Sequence, residues 1–333
     1  MTIQSLRSDF IPITLFGIYL GVRFSHSTLF RLLFRSVLIL SFISLVVAWL
    51  IPSIGRHPMT HFAYPGAWKG IFTHKNSLGF NLILTNVFLF LRWLDHSQKK
   101  NLIDYALLFL LIGGTILSES LSALLISYLS INLTWLYCYC YQWRGKPTIL
   151  ALKIVFMVCV SLIGIVSVLW TPLMTGLGKD PTLSARTLIW EYVLGRVDES
   201  IILGFGREVF WKTPGLFTNV WRVAHHVPPH AHNGYVDLLA DLGYAGLLLF
   251  FVALLPILVK VLKLAYQNRN MYDIWPLAFM IIFLISNSVE SLLLKGANFS
   301  WLIFVVIACS PLTHSGSPPS SQRQTSRIRS SKI

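Results

Sequence analysis

Apolar residues run along this chain in blocks separated by short polar breaks, and most blocks approach the ~20 residues that an α-helix needs to cross a bilayer core. They fall at Phe10–Val22 (short), Ser36–Ile51, Asn76–Leu94, Ile103–Leu117, Leu121–Tyr141, Ile149–Trp170, Tyr235–Val259, Ile274–Val289 and Ala297–Ser310. A tight Ser118-Glu119-Ser120 turn joins the fourth block to the fifth, and Pro58, Pro65 and Gly66 break the loop between the second and third. Hydrocarbon offers no partner to a peptide group, so spans of this kind form helices. The pattern therefore predicts an all-α, polytopic membrane protein of about nine transmembrane helices. Residues 1–313 form its membrane domain, residues 171–234 one large polar loop, and the Ser- and Arg-rich residues 314–333 a disordered tail.

Composition agrees. The chain is 55% hydrophobic and 12% charged, whereas soluble domains carry about 25% charged residues. The formal net charge of +14 raises nucleic acid as a partner. Most of the basic residues flank apolar blocks, however, where they set topology and meet lipid headgroups, so the expected partner is the bilayer and no nucleic acid. Cys138, Cys140, Cys159 and Cys309 all lie within apolar blocks, which supports neither a disulfide framework nor a zinc site. The first block has no small-residue cleavage site after it and does not read as a signal peptide.

Charge also orients the spans. One alternating set of segments holds Arg23, Arg31, Arg35, Arg92, Lys99, Lys100, Arg144, Lys146, Lys260, Lys263, Arg269 and the tail residues Arg323, Arg327, Arg329 and Lys332. The other short segments hold only Arg7, Arg56, Lys69, Lys75 and Lys295. The positive-inside rule puts the richer set and the C-terminus in the cytoplasm, and the long polar loop outside.

Reactive side chains concentrate on that outer side, above all in His225–Gly246, where four histidines, Asn233-Gly234 and two carboxylates meet at the start of a span. His232 is a histidine satisfied at a helix start or, held at the membrane surface by the turn expected at Asn233-Gly234, an imidazole that takes a proton from an attacking hydroxyl near neutral pH. Asp237 and Asp241 lie one turn apart; they orient the imidazole, pair with an arginine across the bundle, or make ordinary structural pairs. Arg186 and Arg207 on the long loop are solvated surface or recognise an anion through their donor fork. Lys75, between His74 and Asn76 at a span start, snorkels to headgroups or, as favoured here, contacts phosphate; Glu119 is its partner or simply a loop carboxylate. His225, His226, His230 and His232, with Pro228-Pro229 between them, do not match a usual metal-ligand spacing. Gly204-Phe205-Gly206 is too short for a nucleotide loop and reads as a turn.

Taken together, these residues resemble the O-antigen ligase/polymerase superfamily, and within it the exopolysaccharide polymerases of the ExoQ type. The resemblance rests on His232-Asn-Gly-Tyr-Val-Asp-Leu-Leu-Ala-Asp-Leu-Gly243, Phe72-Thr-His-Lys-Asn-Ser-Leu-Gly79, Ser118-Glu-Ser-Leu-Ser122, Leu183-Ser-Ala-Arg-Thr-Leu-Ile-Trp190 and Gly204-Phe-Gly-Arg-Glu-Val-Phe210, all in order on one expected side. Two features depart from the pattern: Ala185 stands where glycine usually precedes the arginine, and the spans are fewer than is usual. The resemblance implies an enzyme of the bacterial inner membrane, active on its outer face. It would transfer a glycan from an undecaprenyl-diphosphate carrier to an acceptor hydroxyl, with no cofactor, metal or nucleotide sugar. His232 would be the base, Arg186, Lys75 and Arg207 the diphosphate contacts, and Asn76, Asn233 and Asp237 supporting residues. The acceptor is another lipid-linked repeat unit in a polymerase, which works beside a flippase and a chain-length regulator, and lipid A–core in a ligase. A transporter of lipid-linked sugars is the reading from a different class; it predicts charged or broken spans at mid-membrane.

Overall fold

The computed structural model describes residues 10–60, 64–94, 100–142, 186–216, 230–267, 271–295 and 298–311. Its helices are α1 (Ile11–Arg23), α2 (His26–Leu50), the short α3 (Pro52–Gly55), α4 (Lys75–Leu94), α5 (Leu102–Leu117), α6 (Leu121–Gln142), α7 (Arg186–Val197), the short α8 (Val209–Lys212), α9 (Gly234–Gln267), α10 (Met271–Ser286) and α11 (Phe299–Cys309). Among the described residues the only β contact is an isolated bridge between Arg56 and Trp68. Helices α2, α4, α6 and α9 are long and apolar enough to cross a membrane, and α1, α5, α10 and α11 contain shorter apolar helices. The chain is an all-α, polytopic integral membrane protein. The span expected at Ile149–Trp170 and the tail from His314 lie outside the described residues; every other expected span coincides with one of these helices.

Helix α4 stands at the centre of the bundle, packed against α2, α5, α6 and α10. The cause is polar. Asn81, Thr85 and Asn86 interrupt its apolar sequence, and such groups are costly against lipid unless another helix satisfies them. Asn81 Nδ2 donates to Val37 O (3.2 Å) and Ser41 Oγ (2.8 Å), Thr85 Oγ1 lies 2.9 Å from Ser41 Oγ, and Asn86 Nδ2 donates to Thr115 Oγ1 at 3.1 Å. Leu78, Leu82, Val87 and Phe88 fill the core around these contacts. The short first helix, α1, lies along α11, with Trp301 Nε1 donating to Thr14 Oγ1 (3.0 Å) and the Phe10 ring stacked on Trp301.

Two expectations are corrected. Arg31 and Arg35 do not precede the second span; α2 starts at His26, so both lie within it. Ser25 caps it by accepting from Thr28 N, and long arginine stems can carry their charge back to the interface. The span expected as uninterrupted from Tyr235 to Val259 is broken at Gly243, whose φ of 63° and ψ of −168° leave the helical region. The Gly204-Phe205-Gly206 turn repairs the break. Phe205 N and Gly206 N donate to Ala240 O and Asp241 O (both 2.9 Å), while Tyr244 N and Ala245 N donate to Ile201 O and Ile202 O (both 3.0 Å). A Cβ on Gly243 would lie 2.3 Å from Ile202 O, so the approach that satisfies these peptide groups is open only to glycine. Beyond the break Leu248, Leu249, Val252 and Leu255 are exposed on the bundle surface, where lipid tails would cover them.

The two ends of the bundle differ in chemistry. At one, Lys260 Nζ donates to Ile307 O, Ala308 O and Ser310 O and so caps the C-terminus of α11, with His26 Nε2 3.0 Å from Pro311 O. The other collects the start of α4, the α5–α6 turn, the start of α9 and the loop that follows α10.

Candidate active site

At this second end the chain converges on a residue that the sequence pattern did not single out, Glu290. Its Oε1 accepts from Asn76 Nδ2 (2.7 Å), which comes from the first turn of α4, and from Arg186 NH2 (3.0 Å), which opens α7. Its Oε2 lies 3.3 Å from His232 Nδ1, on the approach to α9. Arg186 also donates to the Val289 carbonyl. The side chains of Arg186, His232 and Glu290 are 14%, 21% and 18% exposed, shielded enough to strengthen the charge pairing yet reachable by a ligand. Ser120 Oγ donates to Asn76 Oδ1 (3.4 Å) and Lys75 Nζ to Glu119 O (3.1 Å), which brings the α5–α6 turn to the same place. Lys75 thus meets the backbone of Glu119, and its ammonium lies 4.8 Å from the Tyr64 ring centroid.

Local sequence explains why these pieces hold still. Arg186 and Trp190 lie one turn apart on α7 and face the same way: the arginine grips Val289 and Glu290 while Trp190 Nε1 donates to Ala231 O at 2.8 Å. Asn287 closes the loop after α10; its Nδ2 donates to Phe283 O (2.7 Å), and its Oδ1 accepts from Leu292 N (3.1 Å) and Leu293 N (3.0 Å). That loop is bonded to the start of α9 through Gly234 N, which donates to Asn287 O (2.8 Å) and Glu290 O (3.2 Å). A Cβ on Gly234 would lie 2.2 Å from Asn287 Oδ1, so glycine is required here for close approach.

The sharp turn itself is not made by Asn233-Gly234, and this corrects the sequence expectation. Asn233 Oδ1 accepts from Tyr235 N (3.0 Å) and Val236 N (3.3 Å), the pairing by which an asparagine caps a helix start. The left-handed residue is His232, with φ 52°. Histidine tolerates that region better than most side chains, and such strain persists where surrounding bonds fix it.

Burial and charge set the ionisation of the cluster. Burial alone would raise the Glu290 carboxyl, but the hydrogen bond from His232 and the charge of Arg186 outweigh it and hold it down at about 2. Burial, reinforced by neighbouring His57, lowers His74 to about 4; its Nε2 lies 2.9 Å from Tyr64 Oη and its Nδ1 accepts from Asn76 N at 3.2 Å. Burial and His232 likewise lower His230, whose ring centroid is 4.3 Å from that of His232. Acid stability follows. An unfolded chain binds protons at histidines that the folded chain keeps neutral, so stability should fall as pH drops from about 6.5 towards 4. Glu290 extends the fall from about 4.5 down to 2, because its folded value is depressed and its contribution is lost on protonation. Thermal unfolding of the detergent-solubilised protein across pH 8 to 4 checks this, with a shallower slope expected for His74→Gln.

The other expected residues fall as follows. Asp237 neither orients the imidazole nor pairs with an arginine: its Oδ1 accepts from Trp211 Nε1 and Ala231 N (both 2.9 Å), and its Oδ2 lies 3.7 Å from Lys295 Nζ. It fixes the backbone one residue ahead of His232. Asp241 accepts from Glu208 N at 2.9 Å. Arg207 stands apart from Glu290; it donates to Leu294 O (2.9 Å), lies over the Phe10 ring, and lines a small cavity with Asp237, Asp241 and Lys295. His225 and His226 lie outside the described residues, among which no group of three or more His, Cys, Asp or Glu is placed to hold a metal ion. Besides Glu290, His57 and Tyr64 were missed; His57 Nε2 accepts from Lys75 N at 3.2 Å. For Glu290 a signal existed, a lone carboxylate at the end of an apolar block on the same expected side as Lys75 and His232.

Compared with known proteins, residues 106–251 match the model of a family described as O-antigen ligase. No curated protein matches the chain. The matched stretch takes in the α5–α6 turn, Arg186, Trp190, Arg207 and His232. Lys75 and Asn76 precede it and Glu290 follows it.

Proposed function

For a chain that belongs, through residues 106–251, to the O-antigen ligase/polymerase superfamily, we propose the activity of a polysaccharide polymerase. It takes a glycan from an undecaprenyl-diphosphate carrier and transfers it to a hydroxyl of another lipid-linked repeat unit, on the outer face of the bacterial inner membrane. The observation that carries this reading is the meeting of a cationic fork, Arg186, and an imidazole, His232, on one carboxylate at one end of a membrane bundle.

The chemistry needs two things there. The acceptor oxygen attacks the anomeric carbon, the bond from that carbon to the phosphate oxygen breaks, and the diphosphate leaves with the electron pair. His232 takes the hydroxyl proton. Positive charge fixed beforehand stabilises the departing diphosphate: Arg186 keeps donors beyond those given to Glu290 and Val289, and Lys75 adds a second cation beside Asn76. Arg207, engaged with Leu294 and Phe10, braces the fold instead. Asn233 and Asp237 hold the backbone of the base. A ligase would use the same steps with lipid A–core as acceptor. A flippase and a chain-length regulator are the partners that a polymerase would require.

The test is complementation of a polymerase-deficient strain that makes the cognate glycan, followed by separation of its products. Long glycan on the lipid carrier is expected. Glycan appearing only on lipid A–core would move the assignment to a ligase, and translocation of the lipid-linked unit without any transfer would move it to a transporter.

A further inference from the structure

We propose that Glu290 is the positioning residue of this site, holding His232 in the tautomer that leaves Nε2 as the proton acceptor and tying that ring to Arg186. The inference rests on the glycan-transfer reading above and deepens it.

An ionised carboxylate only accepts hydrogen bonds. Placed 3.3 Å from Nδ1, it requires the ring proton on Nδ1 and so puts the lone pair on Nε2. Among the described residues His232 Nε2 has no hydrogen-bond partner, and the side chain retains some exposure. Arg186 from α7 and Asn76 from α4 keep the charge of Glu290 in place, and the neutral His74 ahead of α4 and His230 beside His232 also face it. The carboxylate divides its oxygens, Oε1 serving Arg186 and Asn76 and Oε2 serving the imidazole. When Nε2 takes the acceptor's proton, the resulting imidazolium faces a negative charge a hydrogen bond away, which stabilises it as an orienting acid does in a catalytic triad. The same carboxylate fixes the guanidinium, so base and cation share one anchor, and the Asn287–Gly234 backbone bonds set the distance between them.

The test compares wild type, Glu290→Gln and Glu290→Asp in membranes at matched protein levels, measuring glycan transfer across pH 5.5 to 9. The near-isosteric amide accommodates either tautomer. Glu290→Gln should therefore lower the transfer rate about 10²- to 10⁴-fold, with a smaller change in KM for the lipid-diphosphate donor. Its residual pH–rate profile should differ from that of the wild type, since the ring no longer faces a carboxylate. Glu290→Asp should restore part of the rate. A Glu290→Gln enzyme with wild-type rate and profile overturns the proposal. A second measurement depends neither on that variant folding nor on turnover: the ¹⁵N signals of histidine-labelled wild type at pH 8, with His232 assigned against His232→Asn. A proton on Nδ1 is expected, and one on Nε2 overturns the proposal. An inactive wild type that shows the Nδ1 proton would instead count against glycan transfer and leave the positioning intact.

Discussion

Replacing His232 by alanine should abolish the long glycan, with transfer falling on the order of 10²- to 10⁴-fold, the usual contribution of a positioned general base. The loss should be chemical rather than structural. Without the ring, Glu290 still accepts from Arg186 and Asn76, and the backbone of the turn is still held by Asp237 at Ala231 and by Gly234 at Asn287 and Glu290. The left-handed φ of 52° does add a cost of about 1–2 kcal/mol for a residue such as alanine. His232→Asn, which tolerates that region, is therefore the companion variant, and both should lose activity alike. The readout is the glycan ladder at matched membrane levels. Normal polymer from either variant would remove His232 from the role of base.

Removing Arg186 should cost both activity and stability. Arg186→Ala takes away the cation proposed to meet the leaving diphosphate, where fixed positive charge contributes about 10²- to 10³-fold or more. It also leaves the Glu290 carboxylate short of its charged partner. Breaking one side of a buried ion pair costs about 3–5 kcal/mol, and less here because both side chains keep some exposure, 14% and 18%. Arg186→Lys separates the two effects. Lysine restores the charge but not the fork, so it cannot reach Glu290, the Val289 carbonyl and a phosphate at once. Stability should recover partly while transfer stays low. The check is thermal unfolding in detergent beside the transfer rate and KM for the donor. Unchanged KM and rate in Arg186→Lys would show that the fork is not used on the substrate.

The spans could be read directly because a bilayer imposes one rule on every residue that crosses it, and composition alone reports whether a block obeys. Hence α4, α5, α6 and α9 start within a residue of the expected positions. The break at Gly243 was invisible for the same reason: a change of backbone angle leaves hydropathy untouched, and the turn that repairs it lies about forty residues earlier. The arginine, the lysine and the histidine of the site were legible because each stands where its chemistry is costly, at the edge of an apolar block or within a charged, motif-like stretch. Asn233 was recognised as important but for the wrong reason, since capping and turning call for the same residue type.

Glu290 is different. It lies 58, 104 and 214 residues from His232, Arg186 and Asn76, and no periodicity links them. The linear chain established that this is a membrane bundle and pointed to a histidine and an arginine at one end as candidate base and cationic fork, because burial in lipid and reactive side chains are properties of single residues and their neighbours. Which carboxylate joins that base to that fork, and which ring nitrogen is left to take a proton, depends on packing α10 against α4 and α9 and on the loop that Asn287 closes. Those are distances between remote residues, and such distances exist only once the helices have come together.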